Sequence, residues 1–248
     1  MKYTYSKDII ISYSRVDRTG KLGLFELMNL TQDMVTEFCG SIGSDNGTLK
    51  EQNNAAWVYT RAKVKINSLP FWNAKAKAVI YISSLSSIRM ELETDLYDEN
   101  GSVFAMVKTE MCAIDLTERR VRKIDSLSFP KDAEVSPSDF SESFTRIKNE
   151  FDGAELIYSQ RVFAADTDYS KHTNNAQYVK YIMNTMDAAF YDEKTITDFE
   201  IQYVKESKDA DVLDVVREQM DEGQYCFAIK NEDRIVIKAI MKYQPKKI

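Results

Sequence analysis

The chain has 248 residues, with 33 lysines and arginines against 39 aspartates and glutamates for a net charge of −6, a balance that opposes nonspecific nucleic-acid binding because phosphate neutralisation needs a basic surface. Its 44% hydrophobic content, with only 8 glycines and 4 prolines, excludes low-complexity and collagen-like chains. Three widely spaced cysteines (Cys39, Cys112, Cys226) form no Cys-x-x-Cys pair, no apolar run reaches the roughly 18 residues of a membrane span, and the first residues lack an apolar leader, so a cytoplasmic protein is expected.

Tyr3 to Ser14 reads as a strand. A helix follows, with Leu24, Leu27, Met28, Thr31, Met34, Val35 and Phe38 close to the 3.6-residue period. Ala56 to Leu69, Lys75 to Leu85, Ile88 to Tyr97 and Val103 to Ile114 are rich in Val, Ile, Tyr and Thr and read as strands. Asn100-Gly101 between the last two predicts a type I′ hairpin turn. Ser126 to Glu155 is polar and acidic, contains Pro130 and Pro137, and is the best linker candidate. The same order then returns. Leu156 to Ala164 is a strand, and Asn175 to about Asp192 is a helix with Tyr178, Tyr181, Ile182, Thr185, Met186 and Ala189 on one stripe. Thr197 to Glu206, Ala210 to Met220 and Tyr225 to Ile229 are strands, and Ile235 to Tyr243 is expected to close the sheet.

A repeated β-α-β-β-β order without βαβ alternation predicts an α+β fold. We read it as a tandem (double) hotdog, each half a long helix wrapped by an antiparallel sheet. The N-terminal hotdog is 1–127, the linker 128–155 and the C-terminal hotdog 156–248. A lone half would leave an unpaired sheet edge, so the two sheets are expected to join edge to edge.

His172 is the sole histidine of the chain. Imidazole can accept and return a proton near neutrality without extreme tuning, which makes it the leading candidate for chemistry. It lies in Asp166-Thr-Asp-Tyr-Ser-Lys-His-Thr-Asn-Asn-Ala-Gln-Tyr178, just before the second helix. Read as extended chain, this run places Asp168, Ser170 and His172 on one face. Asn174 and Asn175 are candidate helix N-caps, beside N–H groups that have no partner within the helix.

This run, followed by Tyr203-Val-Lys-Glu206, resembles the signature of the acyl-acyl carrier protein thioesterases, fatty-acid-releasing enzymes of bacteria and plants. Val16-Asp-Arg-Thr-Gly-Lys-Leu22 and Trp57-Val-Tyr-Thr-Arg61 extend the resemblance over most of the chain. It implies hydrolysis of fatty acyl-acyl carrier protein thioesters at Asp168, His172, Glu206 and Ser170, with Asn174, Asn175 and Tyr178 as flanking positions; the unpaired N–H groups of the helix start at Asn174 and Asn175, with Ser170, are expected to receive the oxyanion. Two departures stand out. The family usually has Asn where this chain has Ser170, and many members have Cys where it has Ser207, which suggests that no thiol nucleophile is needed. A hydroxyl offers one donor where an amide offers two, so a role for Ser170 in holding the carbonyl would be weaker.

The family's N-terminal hotdog shapes the acyl cavity, which makes Leu27, Met28, Thr31, Met34, Trp57 and Tyr59 candidate lining residues. No histidine stands in the N-terminal half, so one active site per chain is expected. Arg119, Arg120, Arg122 and Lys123 form a basic cluster suited to an acidic acyl carrier protein. A lone histidine without a ligand cage implies no metal and no cofactor. Which carboxylate is base and which orients the imidazole stays open, as does the oligomeric state, a homodimer included. Rival readings are an acyl-CoA thioesterase or other hotdog enzyme, and a noncatalytic acyl-binding protein. A serine hydrolase is disfavoured, since no Gly-x-Ser-x-Gly elbow exists.

Overall fold

The computed structural model of the chain describes residues 1–246, so 247 and 248 of the expected C-terminal half lie outside the described residues. The first half runs β1 (Thr4–Ile10), α1 (Leu24–Ser41), α2 (Asn46–Asn53), β2 (Ala55–Ile66), β3 (Lys75–Leu85), β4 (Met90–Asp98), β5 (Val103–Asp115) and a short β6 (Val121–Arg122). The second runs β7 (Glu155–Arg161), α3 (Asn175–Met183), α4 (Ala188–Glu193), β8 (Lys194–Tyr203), β9 (Val212–Asp221), β10 (Gln224–Asn231) and β11 (Arg234–Pro245). The strands form one antiparallel sheet in the order β1-β3-β4-β5-β2-β8-β11-β10-β9-β7, with β6 on β5. This is the double hotdog. Its halves meet where β2 pairs with β8, from Arg61 opposite Gln202 to Lys65 opposite Asp198.

Alternation along the strands sorts the two faces. Ala62, Val64 and Ile66 of β2 and Phe199 and Ile201 of β8 join the core beneath the helices. From α1 that core takes Leu24, Leu27, Met28, Thr31, Met34, Val35 and Phe38, all buried, and α1 packs against α3. Burying one such apolar side chain contributes roughly 1.5–3 kcal/mol.

The opposite face carries charge, and residues 138–151 cover it. Within the expected linker, Phe140, Ile147 and Phe151 are buried. Its main chain meets ammonium groups that rise from the sheet. Lys108 Nζ donates to the Phe140 carbonyl at 2.7 Å, Lys63 Nζ to the Ser143 carbonyl at 2.8 Å, and Lys238 Nζ to Asn149 Oδ1 at 2.8 Å. Thr145 N–H donates to Glu200 Oε1 at 2.7 Å. A buried charge with no partner is costly, so these lysines and carboxylates hold the strap in place.

Several sequence expectations are corrected. The strand expected to close the sheet, β11, lies inside it between β8 and β10. The second long helix breaks after Met183. Arg217 Nη1 takes the Thr185 carbonyl at 2.8 Å, and Asp187 caps a new helix by accepting from Phe190 N–H at 2.8 Å, so Ala189 leaves the buried stripe. At the β4–β5 hairpin Gly101 has φ +80 but Asn100 does not have positive φ. Asp98 N–H donates to the Ser102 carbonyl at 2.9 Å, so the loop is three residues ending in a left-handed glycine, not a type I′ turn. Helix α2 was not expected at all.

Under the strap, Asp95 is 2% exposed, and Tyr81 donates to its Oδ2 at 3.1 Å. Its Oδ1 has no hydrogen-bond partner among the described residues. Burial, then the neighbouring Glu93 carboxylate, pushes the Asp95 carboxyl up from 3.8 to about 6. The folded chain therefore keeps a proton that the unfolded chain loses, and stability falls as pH rises through this window. We predict that Asp95→Asn raises the unfolding free energy by about 1 kcal/mol at pH 8 and flattens its pH dependence between about pH 4 and pH 6. Urea midpoints across that range check it, and a destabilised variant at pH 8 would contradict it.

Candidate active site

The polar run before α3 folds as a tight turn rather than the extended segment expected from its spacing. Asp168 N–H donates to the His172 carbonyl at 2.9 Å, Lys171 N–H to the Asp168 carbonyl at 2.9 Å, and Ser170 N–H to Asp168 Oδ1 at 2.8 Å. An aspartate accepting from the residue two ahead is an Asx turn. Lys171 takes φ +63 to complete it. The turn delivers His172 to the start of α3, where Asn174 Oδ1 accepts from Ala176 N–H at 2.9 Å and the Asn174 carbonyl from Gln177 N–H at 2.9 Å. Asn174 is thus the N-cap, and Asn175 is the first helical residue.

Glu206 arrives from the other side. Beyond β8 the N–H groups of Val204 and Lys205 both donate to the Val236 carbonyl, at 2.9 and 3.1 Å. Ser207 anchors the next residue: it is 2% exposed, and its Oγ lies 2.7 Å from both Thr173 Oγ1 and Tyr178 Oη. Thr173 N–H also donates to the Ser207 carbonyl at 2.8 Å. Ser207 therefore ties the β8 end to α3 and points no nucleophile into the site. Between these anchors, Glu206 Oε2 lies 3.3 Å from His172 Nε2. Arg119 Nη2 lies 2.5 Å from that same oxygen.

Of the two carboxylates left open by the sequence, Glu206 is the one beside the imidazole. Asp168 spends one oxygen on its own turn.

Asp168, Ser170, His172, Asn175 and Glu206 all line a cavity of about 910 Å³, together with Arg119. Trp57 and Tyr59 line it from the N-terminal half, and Tyr178 and Tyr203 from the other. Trp57 is held by Nε1–H donation to the Ser44 carbonyl at 2.8 Å. Leu27, Met28, Thr31 and Met34 are not in this wall; they pack in the core. The neighbouring stripe of α1, Gln32, Val35, Thr36 and Cys39, lines the cavity instead. That stripe has the i, i+3, i+4, i+7 spacing of one helix face. Its mixture of polar and apolar residues hid it behind the more hydrophobic stripe. Asn174, at the N-cap, is likewise outside the wall.

The structure divides the basic cluster. Arg119 is in the site, and Arg122 is bound to Asp115 Oδ2 at 3.0 Å and to the Asn53 carbonyl at 3.2 Å. Arg120 and Lys123 are exposed. No group of three or more His, Cys, Asp or Glu among the described residues is arranged to hold a metal ion.

Comparison with known proteins agrees with this architecture. Residues 2–127 match the family model described as acyl-ACP thioesterase N-terminal domain, and residues 147–245 match its C-terminal counterpart. The chain is similar to a chloroplastic acyl-[acyl-carrier-protein] hydrolase of Cuphea viscosissima, 22% identical over 93% of this chain, and spans 58% of that relative's length. Two solved structures share the fold. An acyl-ACP thioesterase from Bacteroides thetaiotaomicron superposes with a TM-score of 0.85 at 18% identity, covering 98% of each chain. A 12:0-ACP thioesterase from Umbellularia californica gives the same values. Matched in order through both of its halves, the chain belongs to the acyl-ACP thioesterase family.

Proposed function

We propose that the chain hydrolyses fatty acyl-acyl carrier protein thioesters, releasing free fatty acid and so ending chain elongation. The observation that carries this reading is the 3.3 Å approach of His172 Nε2 to Glu206 in the wall of the 910 Å³ cavity, beside the start of α3. Family membership supports the same activity.

Donation of the His172 Nε2–H to Glu206 leaves Nδ1 with the lone pair. Nδ1 then takes a proton from water as the water oxygen bonds to the thioester carbonyl carbon. The carbonyl oxygen becomes an oxyanion, received by the Asn175 N–H at the open end of the helix. Collapse breaks the C–S bond, and the imidazolium returns its proton to the thiolate. A thiol of pKa about 8.5 leaves readily, so one histidine serves as both base and acid. Asp168 shapes the turn that presents the imidazole. Ser170, whose N–H is committed to Asp168, offers its hydroxyl where the family's Asn offers an amide.

Acyl carrier protein is the proposed partner, docking at exposed Arg120 and Lys123 beside the cavity residue Arg119. A cytoplasmic setting suits the three cysteines, all free and buried.

Purified wild-type protein should release free thiol from acyl-acyl carrier protein, and His172→Ala should lower kcat by about 100-fold or more. Equal rates in the two proteins would refute the enzyme reading and favour an acyl-binding role. Ser207→Ala should keep kcat within about threefold while lowering unfolding free energy by about 1–2 kcal/mol, because two buried hydroxyls lose their shared partner. Abolished turnover in a fully folded Ser207→Ala protein would instead make it a reacting group. The double variant Arg120→Glu/Lys123→Glu should raise KM for acyl-acyl carrier protein about tenfold and leave KM for acyl-CoA unchanged. Equal loss on both substrates would remove the docking surface.

A further inference from the structure

Arg119 reaches Glu206 from 87 residues earlier in the chain, out of the turn between β5 and β6 in the other half of the molecule. Its guanidinium and the His172 imidazole converge on one atom, Glu206 Oε2, at 2.5 and 3.3 Å. The turn that carries it is built around Asp115. Asp115 Oδ1 accepts from the N–H groups of Thr117 and Glu118 at 2.9 Å each, its Oδ2 pairs with Arg122 at 3.0 Å, and its carbonyl accepts from Arg119 N–H at 3.0 Å. Arg119 itself has φ +56.

That left-handed conformation strains any residue with a Cβ and suits glycine. The ion pair it makes is half-exposed at both ends, 49% and 42%, and such pairs contribute little to stability. The stability of that pair alone therefore does not offset the strain of an arginine here. Strain held at a contact with a site carboxylate points to function.

We propose that Arg119 is the positioning residue for Glu206: it pins Oε2 within reach of the imidazole. The proposal rests on the reading of His172 and Glu206 as the working pair, and it moves Arg119 out of the docking cluster. Deprived of the guanidinium, the Glu206 side chain has only the longer imidazole contact to orient it, so turnover falls while substrate binding is kept.

The test compares Arg119→Gly, Arg119→Lys and Glu206→Gln, singly and as Arg119→Gly/Glu206→Gln, on acyl-acyl carrier protein and acyl-CoA. Arg119→Gly should lower kcat about tenfold on both substrates with KM unchanged and Tm equal or higher, since glycine relaxes the turn. Arg119→Lys should recover part of kcat. In the Glu206→Gln background, Arg119→Gly should cause no further loss, as expected of groups that act through one another. Wild-type kcat in Arg119→Gly, with Glu206→Gln inactive, would overturn the positioning role alone. A rise in KM confined to acyl-acyl carrier protein would return Arg119 to docking. Wild-type kcat in Glu206→Gln would instead overturn the reading of the pair itself.

Discussion

Antiparallel pairing of Arg61–Lys65 with Gln202–Asp198 makes one sheet of two, and the site depends on that seam. It removes the two edges that separate half-sheets would expose. It also brings Tyr59 of β2 to 6.3 Å from Tyr203 of β8, ring centre to ring centre, so that the cavity has a wall from each half. The register matters as much as the pairing. Ala62 and Val64 face the helices while Lys63 faces the strap, where it lies 3.4 Å from both Glu142 and Glu200. A slip of one residue would exchange those faces and bury ammonium groups among apolar side chains.

The two halves share a backbone device but not its chemistry. In the N-terminal half Asp17 N–H donates to the Lys21 carbonyl at 2.8 Å, and Thr19 N–H to Asp17 Oδ1 at 2.8 Å. Gly20, at φ +75, occupies the place of Lys171 at φ +63. The turn is the Asp168 turn repeated. Lys21 stands where His172 would be, and its ammonium lies 5.1 Å from the centre of the Phe71 ring rather than beside a carboxylate. Leu22 N–H donates to the Pro70 carbonyl as Thr173 N–H does to Ser207, which puts Leu69 in the position of Glu206. The turn persists because it starts a helix in each half. The reactive residues are found in the C-terminal half alone, and the cavity beside them takes one wall from each half.

Much of this was legible in the residues because the signals are local. The bounds of β3 and the buried stripe of α1 follow from side-chain periodicity. An N-cap at Asn174 or Asn175 follows from the preference of an amide oxygen for unpaired helix N–H groups, and the fold settles it on Asn174. Two omissions had local signals of the same kind: Asp45 caps α2 by accepting from Thr48 N–H at 3.0 Å, and Asp187 starts α4 in the middle of an otherwise continuous helical pattern. Each is a cap read as an ordinary polar residue.

Primary structure by itself determined the duplicated order of elements, the helix that starts just after His172, and the residue types able to move a proton. Tertiary structure alone decided that Glu206 rather than Asp168 meets the imidazole, that the Gln32 to Cys39 face of α1 bounds the cavity, that the strap covers charge, and that Arg119 belongs to the site. The physical reason is range. Hydrogen bonds within a few residues are encoded by neighbours along the chain, whereas a contact across 87 residues depends on strand order and register, which arise only when distant segments compete to bury the same face.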